Sequence, residues 1–313
     1  MNLNKASKKK NRIYLKTYSP HRLFTSIITL LLFCTTATAA KLSLPIDSLA
    51  TRTGTTTKSA AKATLFRRNP DTTANKPKLN AVVKQKVEIV TYKIYFNGKI
   101  IKVIPKKVKE EFKGKYRYVY IDKKGKKYEL GDYKIYKIQK YRGEAGEIVN
   151  LVNLEEVPKS YKNGTFQYHF NMDSPRSYVN EQTLASFFGA MLEVNYLDIG
   201  CNGFSHKDGS SKPSRSHING NNGDFKYLRA DKTLECGVGT SLNINKAADS
   251  LDYRRQNKWN DALYKFGWKK MLGWTVTVNK KTKFLHHITH KTTNHHHHLH
   301  VQNYEPHFKE IKL

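Results

Sequence analysis

Apolar and polar residues alternate through VEIVTYKIYFNGKIIKVI (87–104), on both sides of Asn97-Gly98. A period of two marks strands with unlike faces, and an Asn-Gly pair accepts the two positive φ angles of a tight hairpin turn. The same texture returns in KYRYVYID (115–122) and KKYELGDYKIYKI (126–138), joined through Lys123-Lys124-Gly125. The pattern predicts a small all-β basic module over 81–145, with antiparallel strands at about 86–140. Lysines fall on one face, and Tyr, Ile and Val on the other. The lysine face is either solvated surface that guards sheet edges or a docking face for an anionic polymer.

Past Tyr168-His169-Phe170 the period changes. Leu184, Phe187, Phe188, Met191 and Leu192 recur at helical spacing, with Asn180 as N-cap. YLDIGCNGF (196–204) reads as a strand, followed by a polar loop to Ser216. A second helix is expected at about 249–270, where Trp259, Ala262, Leu263 and Phe266 share a face. Trp274–Val278 and Phe284–Ile288 read as a hairpin around Lys280-Lys281, and a last strand runs through His298–Asn303. The fold expected for 146–313 is therefore α+β, a mostly antiparallel sheet with flanking helices. Trp259, Trp268 and Trp274 are read as core.

The amino-terminal residues have a different texture. Residues 1–22 carry seven basic side chains and no acid, then comes the apolar run Leu23–Phe33, and then CTTATAA ending at Ala40. A basic start, a short apolar stretch and a small-residue end make a secretory signal over 1–40. The run is short of the ~20 residues that a membrane span needs, so no stable span is expected once the signal is cleaved; an uncleaved anchor is the alternative. Residues 41–80, with eight threonines between Thr51 and Thr73, read as a disordered linker.

Charge now gains meaning. The 313 residues include 56 Lys and Arg against 25 Asp and Glu, a net charge of +31. Cleavage after residue 40 removes seven basic residues, leaving 49 against 25, or +24. An acidic, solvating protein is excluded, and the expected partner is peptidoglycan or another anionic envelope polymer. Nucleic acid is not expected, because the basic residues are spread along the chain without a recognition motif and the chain is exported, to the periplasm or beyond. Apart from Cys34, the cysteines are Cys201 and Cys236, 35 positions apart. Export permits a disulfide between them, worth ~3–4 kcal/mol in the chain-entropy model; two buried thiols are the alternative.

Histidine carries the candidate chemistry. Nine of the thirteen histidines lie between His286 and His307. His298 and His300, two apart on a strand, put two imidazoles on one face. Upstream, His217 and Asp224 bracket Ile-Asn-Gly-Asn-Asn-Gly, whose turn residues let the chain fold back on itself. Two imidazoles and a carboxylate are a common set of three protein ligands to catalytic zinc, which keeps a fourth position for water. Zinc lowers the pKa of that water towards ~7 and polarises a carbonyl. His295 or His298 is then the candidate for taking the proton. A loosely metal-binding His-rich tract is the blander account.

H-x6-D followed by H-x-H resembles the zinc peptidases of the LAS group, which include lysostaphin-type enzymes, D-alanyl-D-alanine carboxypeptidases and penicillin-insensitive murein endopeptidases. The resemblance covers about 180–304, some 40% of the chain. It implies that His217, Asp224 and His300 hold zinc and that His298 stabilises the oxyanion or assists proton transfer. Gly220 also matches the family pattern, whereas Arg215 stands where a serine is usual. The carboxypeptidase branch has a glutamate three residues before its H-x-H; here that residue is His295, which resembles the penicillin-insensitive endopeptidases instead. The implied activity is zinc-dependent hydrolysis of peptide bonds in peptidoglycan, as endopeptidase or D,D-carboxypeptidase. Two other readings fit the same residues: a non-catalytic binder of anionic envelope polymers with a metal-binding histidine site, and an injected antibacterial effector with the same chemistry.

Overall fold

A computed structural model of the chain describes residues 87–234 and 241–313. The expected signal (1–40), the linker (41–80) and Cys236 lie outside these residues. No helix among the described residues is long and apolar enough to cross a membrane.

The first two strands, β1 (Val90–Tyr95) and β2 (Lys99–Ile104), form the expected hairpin, with Gly98 at φ +87° in its turn. The second pair, β3 (Lys115–Ile121) and β4 (Lys127–Lys134), is also antiparallel. The sheet they build is nevertheless mixed. After β2 the chain crosses over so that β3 lies parallel to β1, and the carboxy-terminal strand His307–Lys312 adds parallel to β2. Alternation shows which residues face inward but leaves strand order open, so the all-antiparallel expectation for 86–140 gives way here.

Five further strands follow: β5 (Tyr136–Gln139), β6 (Ile148–Asn153), β7 (Ser160–Asn163), β8 (Phe166–Met172) and β9 (Tyr178–Asn180). Helix α1 (Glu181–Val194) starts at Asn180, whose side chain accepts a hydrogen bond from the Gln182 amide at 2.9 Å. It ends on Asn195 at φ +56°, a left-handed cap. Every residue from Thr183 to Leu192 is buried, so the helix is covered all round and not along one stripe. Phe188 meets Tyr118 and Tyr133 of the basic sheet, while Phe187 meets Phe225 and Trp259 on the other side.

The rest comprises β10 (Ile199–Gly203), β11 (Gly223–Phe225), helix α2 (Tyr253–Lys265), β12 (Trp268–Leu272), β13 (Thr275–Val278), β14 (Lys281–Phe284), β15 (Leu299–Tyr304) and β16 (His307–Lys312). Strands β12-β15-β11-β10-β8-β7 form a six-stranded sheet, antiparallel except for β8 beside β10. The second helix is shorter than 249–270. Asp252 caps it, and Gly267 at φ +127° turns the chain into β12, close enough to Pro306 that an added Cβ would lie 3.0 Å from it. The β13–β14 turn falls on Asn279 and Lys280, both at positive φ, one residue earlier than expected; Leu285 and Ile288 are buried beyond the strand.

The structure is thus mixed, mostly sheet, with two helices. One buried apolar cluster runs from Tyr92 and Tyr118 through α1 to Trp259 and Val301. The expected boundary at 145/146 does not divide it, and the described residues fall within one compact unit. Lys102 of β2 ties the two parts together: it is 8% exposed and pairs with Glu181 at the start of α1 at 2.9 Å. Cys201 is a buried free thiol, and burial pushes its pKa up to about 12.

Candidate metal centre

His217 opens a tight turn, Ile218–Gly220, in which Asn219 and Gly220 both take positive φ, +57° and +70°. Gly220 lies against the end of β9: an added Cβ would collide with the Asn180 amide nitrogen and come within 2.8 Å of the Val179 carbonyl carbon. Only glycine fits there. The Asn219 side chain pins the turn to Tyr141, accepting from its amide at 2.9 Å and donating to its carbonyl at 3.2 Å. The chain then reverses into β11, which pairs with β15 in the register Asp224↔His300. Turn and register together bring His217, Asp224 and His300 to one point.

The donor atoms form a small triangle. His217 Nε2 lies 3.0 Å from His300 Nδ1 and 3.2 Å from Asp224 Oδ1, and His300 Nδ1 lies 2.8 Å from the same oxygen. The two rings stack with centroids 4.9 Å apart. All three residues are buried, His217 completely. Burial would raise the Asp224 carboxyl, but its contacts with His217 and His300 hold it well below the usual carboxylate range. Burial lowers His217, against the pull of Asp224.

The proton of His300 can sit on either ring nitrogen. His300 Nε2 faces Gln302 Oε1 at 3.3 Å and Ser216 Oγ at 3.1 Å. An N–H there donates to Gln302 and leaves a lone pair on Nδ1. In the other neutral tautomer Ser216 Oγ donates to Nε2 and an N–H on Nδ1 donates to Asp224 Oδ1 at 2.8 Å, so the three residues can satisfy one another without an ion. With the proton on Nε2 instead, His300 Nδ1 can offer its lone pair to an ion. Ligands at 2.0–2.2 Å around a tetrahedral ion stand about 3.3–3.6 Å apart, little more than the separations found here. These three residues can hold a metal ion.

Arg176, from the loop between β8 and β9, bears on the same ring. Its Nη1 donates to His217 Nδ1 at 2.8 Å, and its Nη2 donates to the Asn202 carbonyl at 2.9 Å and to Asp224 Oδ2 at 3.4 Å. A guanidinium only donates, so this contact keeps the neutral-ring proton of His217 on Nε2. Binding of an ion through Nε2 requires that proton on Nδ1 and Arg176 turned away from the ring, towards Asp224 or the cleft.

The cleft over the centre, about 560 Å³, is lined by Arg176, Asp224, His295, His298, His300 and Gln302 among others. His298 precedes β15, with Nε2 3.6 Å from Asp224 Oδ1; burial pushes its pKa down to about 4, so its ring is neutral at pH 7. His295 stacks obliquely on His298, centroids 4.8 Å apart, and faces the Thr293 carbonyl through Nδ1 at 2.8 Å, leaving Nε2 free for the cleft. Burial lowers its pKa too. The other histidines do not join: His286 and His287 both contact Asp261 at the surface, and His206 contacts the Lys212 carbonyl. Trp259 and Trp268 are fully buried, as expected of core, whereas Trp274 is only half-buried and packs against that core. The sequence reading missed Ser216 and Gln302 as partners of His300. Gln302 was discoverable, since it lies two residues along the same strand and so on the same face.

Compared with protein-family models, with curated proteins and with solved structures, the chain matches none. The resemblance to LAS-type peptidases therefore rests on the two half-motifs and on the convergence of their residues.

Proposed function

We propose that the chain is a secreted zinc-dependent peptidase that hydrolyses peptide bonds in peptidoglycan. The observation that supports this best is the buried triangle of His217, Asp224 and His300, able to hold a metal ion and set beside an open cleft. Zinc suits two imidazoles and one carboxylate, and when bound it would acidify a water and polarise the scissile carbonyl.

The chain's own residues supply the rest. His217, Asp224 and His300 hold the ion. Ser216 and Gln302 fix the ring of His300, as outer partners of metal-ligating histidines commonly do. His295 has its Nδ1–H committed to the Thr293 carbonyl, so Nε2 is the acceptor that takes a proton from the attacking water. Neutral His298 donates to the oxygen on which negative charge develops. Arg176, once turned from His217, reaches the same cleft as a second donor. Among the described residues no acid lines the cleft other than Asp224, and His295 stands where the carboxypeptidase branch has its glutamate, which favours the endopeptidase branch of the family. Export through residues 1–40 belongs to the same proposal.

The test combines metal content with digestion. The full chain should carry about one zinc per molecule and release soluble muropeptides from purified sacculi. His217→Ala and His300→Ala should lose both zinc and digestion. Undiminished digestion by these variants, or by the chelated protein, overturns the proposal.

A further inference from the structure

The cleft over the metal centre does not end at His300. Pro213, Ser214 and Arg215 form one wall of it and also one wall of a second cavity of about 580 Å³, which Tyr141, Arg142, Ser211, Lys212 and Ile218 complete. Arg142, Lys212 and Arg215 are all exposed, and none has an ion-pair partner among the described residues. Among the described residues no carboxylate lines this second cavity, and Asp224, the one acid of the first, is taken up by the imidazoles.

The cations are positioned by the framework that positions the metal ligands. Tyr141 is clasped through its backbone by Asn219, inside the turn that follows His217. The next residue, Arg142, takes φ +59°, uncommon for a side chain of this size, and its guanidinium lies 5.4 Å from the Tyr141 ring centre. The loop bearing Lys212 and Arg215 is closed by Ser211 Oγ, which donates to the Ser214 carbonyl at 2.9 Å. Arg215 is two residues from His217, and it is the position where the LAS pattern has serine. Three unpaired cations beside a carbonyl-polarising centre form a site for negative charge on the substrate.

We propose that this second cavity is a carboxylate-binding subsite, and that the substrate is a peptide bearing a free carboxylate close to the scissile bond. The inference rests on the peptidase reading for its link to catalysis, but the subsite itself does not need turnover. Arg142 and Arg215 supply forked donors that match a carboxylate in pairs, and Lys212 adds a point charge. Peptidoglycan stem peptides offer such carboxylates both on side chains and at the carboxy terminus.

Titration calorimetry on the full, zinc-loaded chain tests this. The probes are the tetrapeptide L-Ala-γ-D-Glu-diaminopimelate-D-Ala, its side-chain-amidated form and its carboxy-terminal amide. The free tetrapeptide should bind, and one of the two amides should bind about tenfold more weakly, which identifies the recognised carboxylate. R142Q and R215Q should each weaken the free tetrapeptide about tenfold with zinc content unchanged, should barely alter binding of the discriminating amide, and R215K should restore part of the loss. Equal binding of all three peptides, or equal losses on free and amidated forms in R142Q and R215Q, overturns the subsite. If calorimetry gives these contrasts while sacculi remain undigested, the subsite stands and the peptidase reading falls.

Discussion

In the five-stranded basic sheet, charge is sent outward or paired; in the six-stranded sheet, charge and imidazoles are turned inward. Lys115, Lys127 and Lys134 end in solvent, and Arg117 pairs with Asp132 at 2.7 Å on a partly exposed face. The one lysine buried there, Lys102, sits over the Tyr92 and Tyr116 rings and meets Glu181. Across α1 the opposite holds: Asp224, His217 and His300 are buried with their ligand atoms aimed at one another. A buried polar group is normally satisfied within the protein. Lys102 and the histidine triangle both obey that rule; what sets the triangle apart is that its three ligand atoms lie close enough together to meet one ion.

Substitutions can set the two sheets against each other. Lys102→Ala leaves Glu181 without its cation and should cost about 3–5 kcal/mol in denaturant unfolding, while the folded remainder keeps its zinc affinity. Asp224→Ala should do the reverse: zinc affinity falls by at least ~100-fold in a competition assay, with the circular dichroism spectrum retained. If both variants lose stability and metal together, the two regions are not independent and the contrast fails. Gly220→Ala falls between the two. Its left-handed backbone and the collision with Asn180 should cost about 1–3 kcal/mol and shift His217 relative to Asp224, weakening zinc about tenfold. Lys115→Gln with Lys127→Gln should change stability by no more than ~0.5 kcal/mol, yet lower the salt concentration that elutes the protein from sacculi. Unchanged elution would make this face plain solvated surface.

How much could be read beforehand varies with the range of the interaction. Both hairpins of the basic sheet, the Asn180 cap and the inward faces of α1 and α2 follow from short spacings and turn residues. The parallel placement of β3 beside β1 and of β16 beside β2 does not, because each depends on a partner far away in the chain. The first three residues of β12, Trp268 to Lys270, fall within the expected helix at 249–270, since Gly267 ends the helix through a positive backbone angle beside Pro306. At the site, the three residues that can hold an ion are legible from two half-motifs, and His295 and His298 from their neighbours. The place of Arg176 beside His217 is not legible, because their bond spans 41 residues.

By itself the sequence determined the residue types and their local geometry: alternation for the strands, a cap for α1, glycine where the chain must turn after His217, and imidazoles two apart on one strand. These depend on neighbours within a few positions, where backbone sterics leave little choice. The tertiary structure alone decided that Asp224 stands opposite His300, that Arg176 rather than an acid backs His217, and that Arg142, Lys212 and Arg215 share a wall with the cleft. The physical reason is that charge and hydrogen bonding act across space. Which acceptor meets a donor, and which cation is left without a partner, is settled only when distant segments have packed.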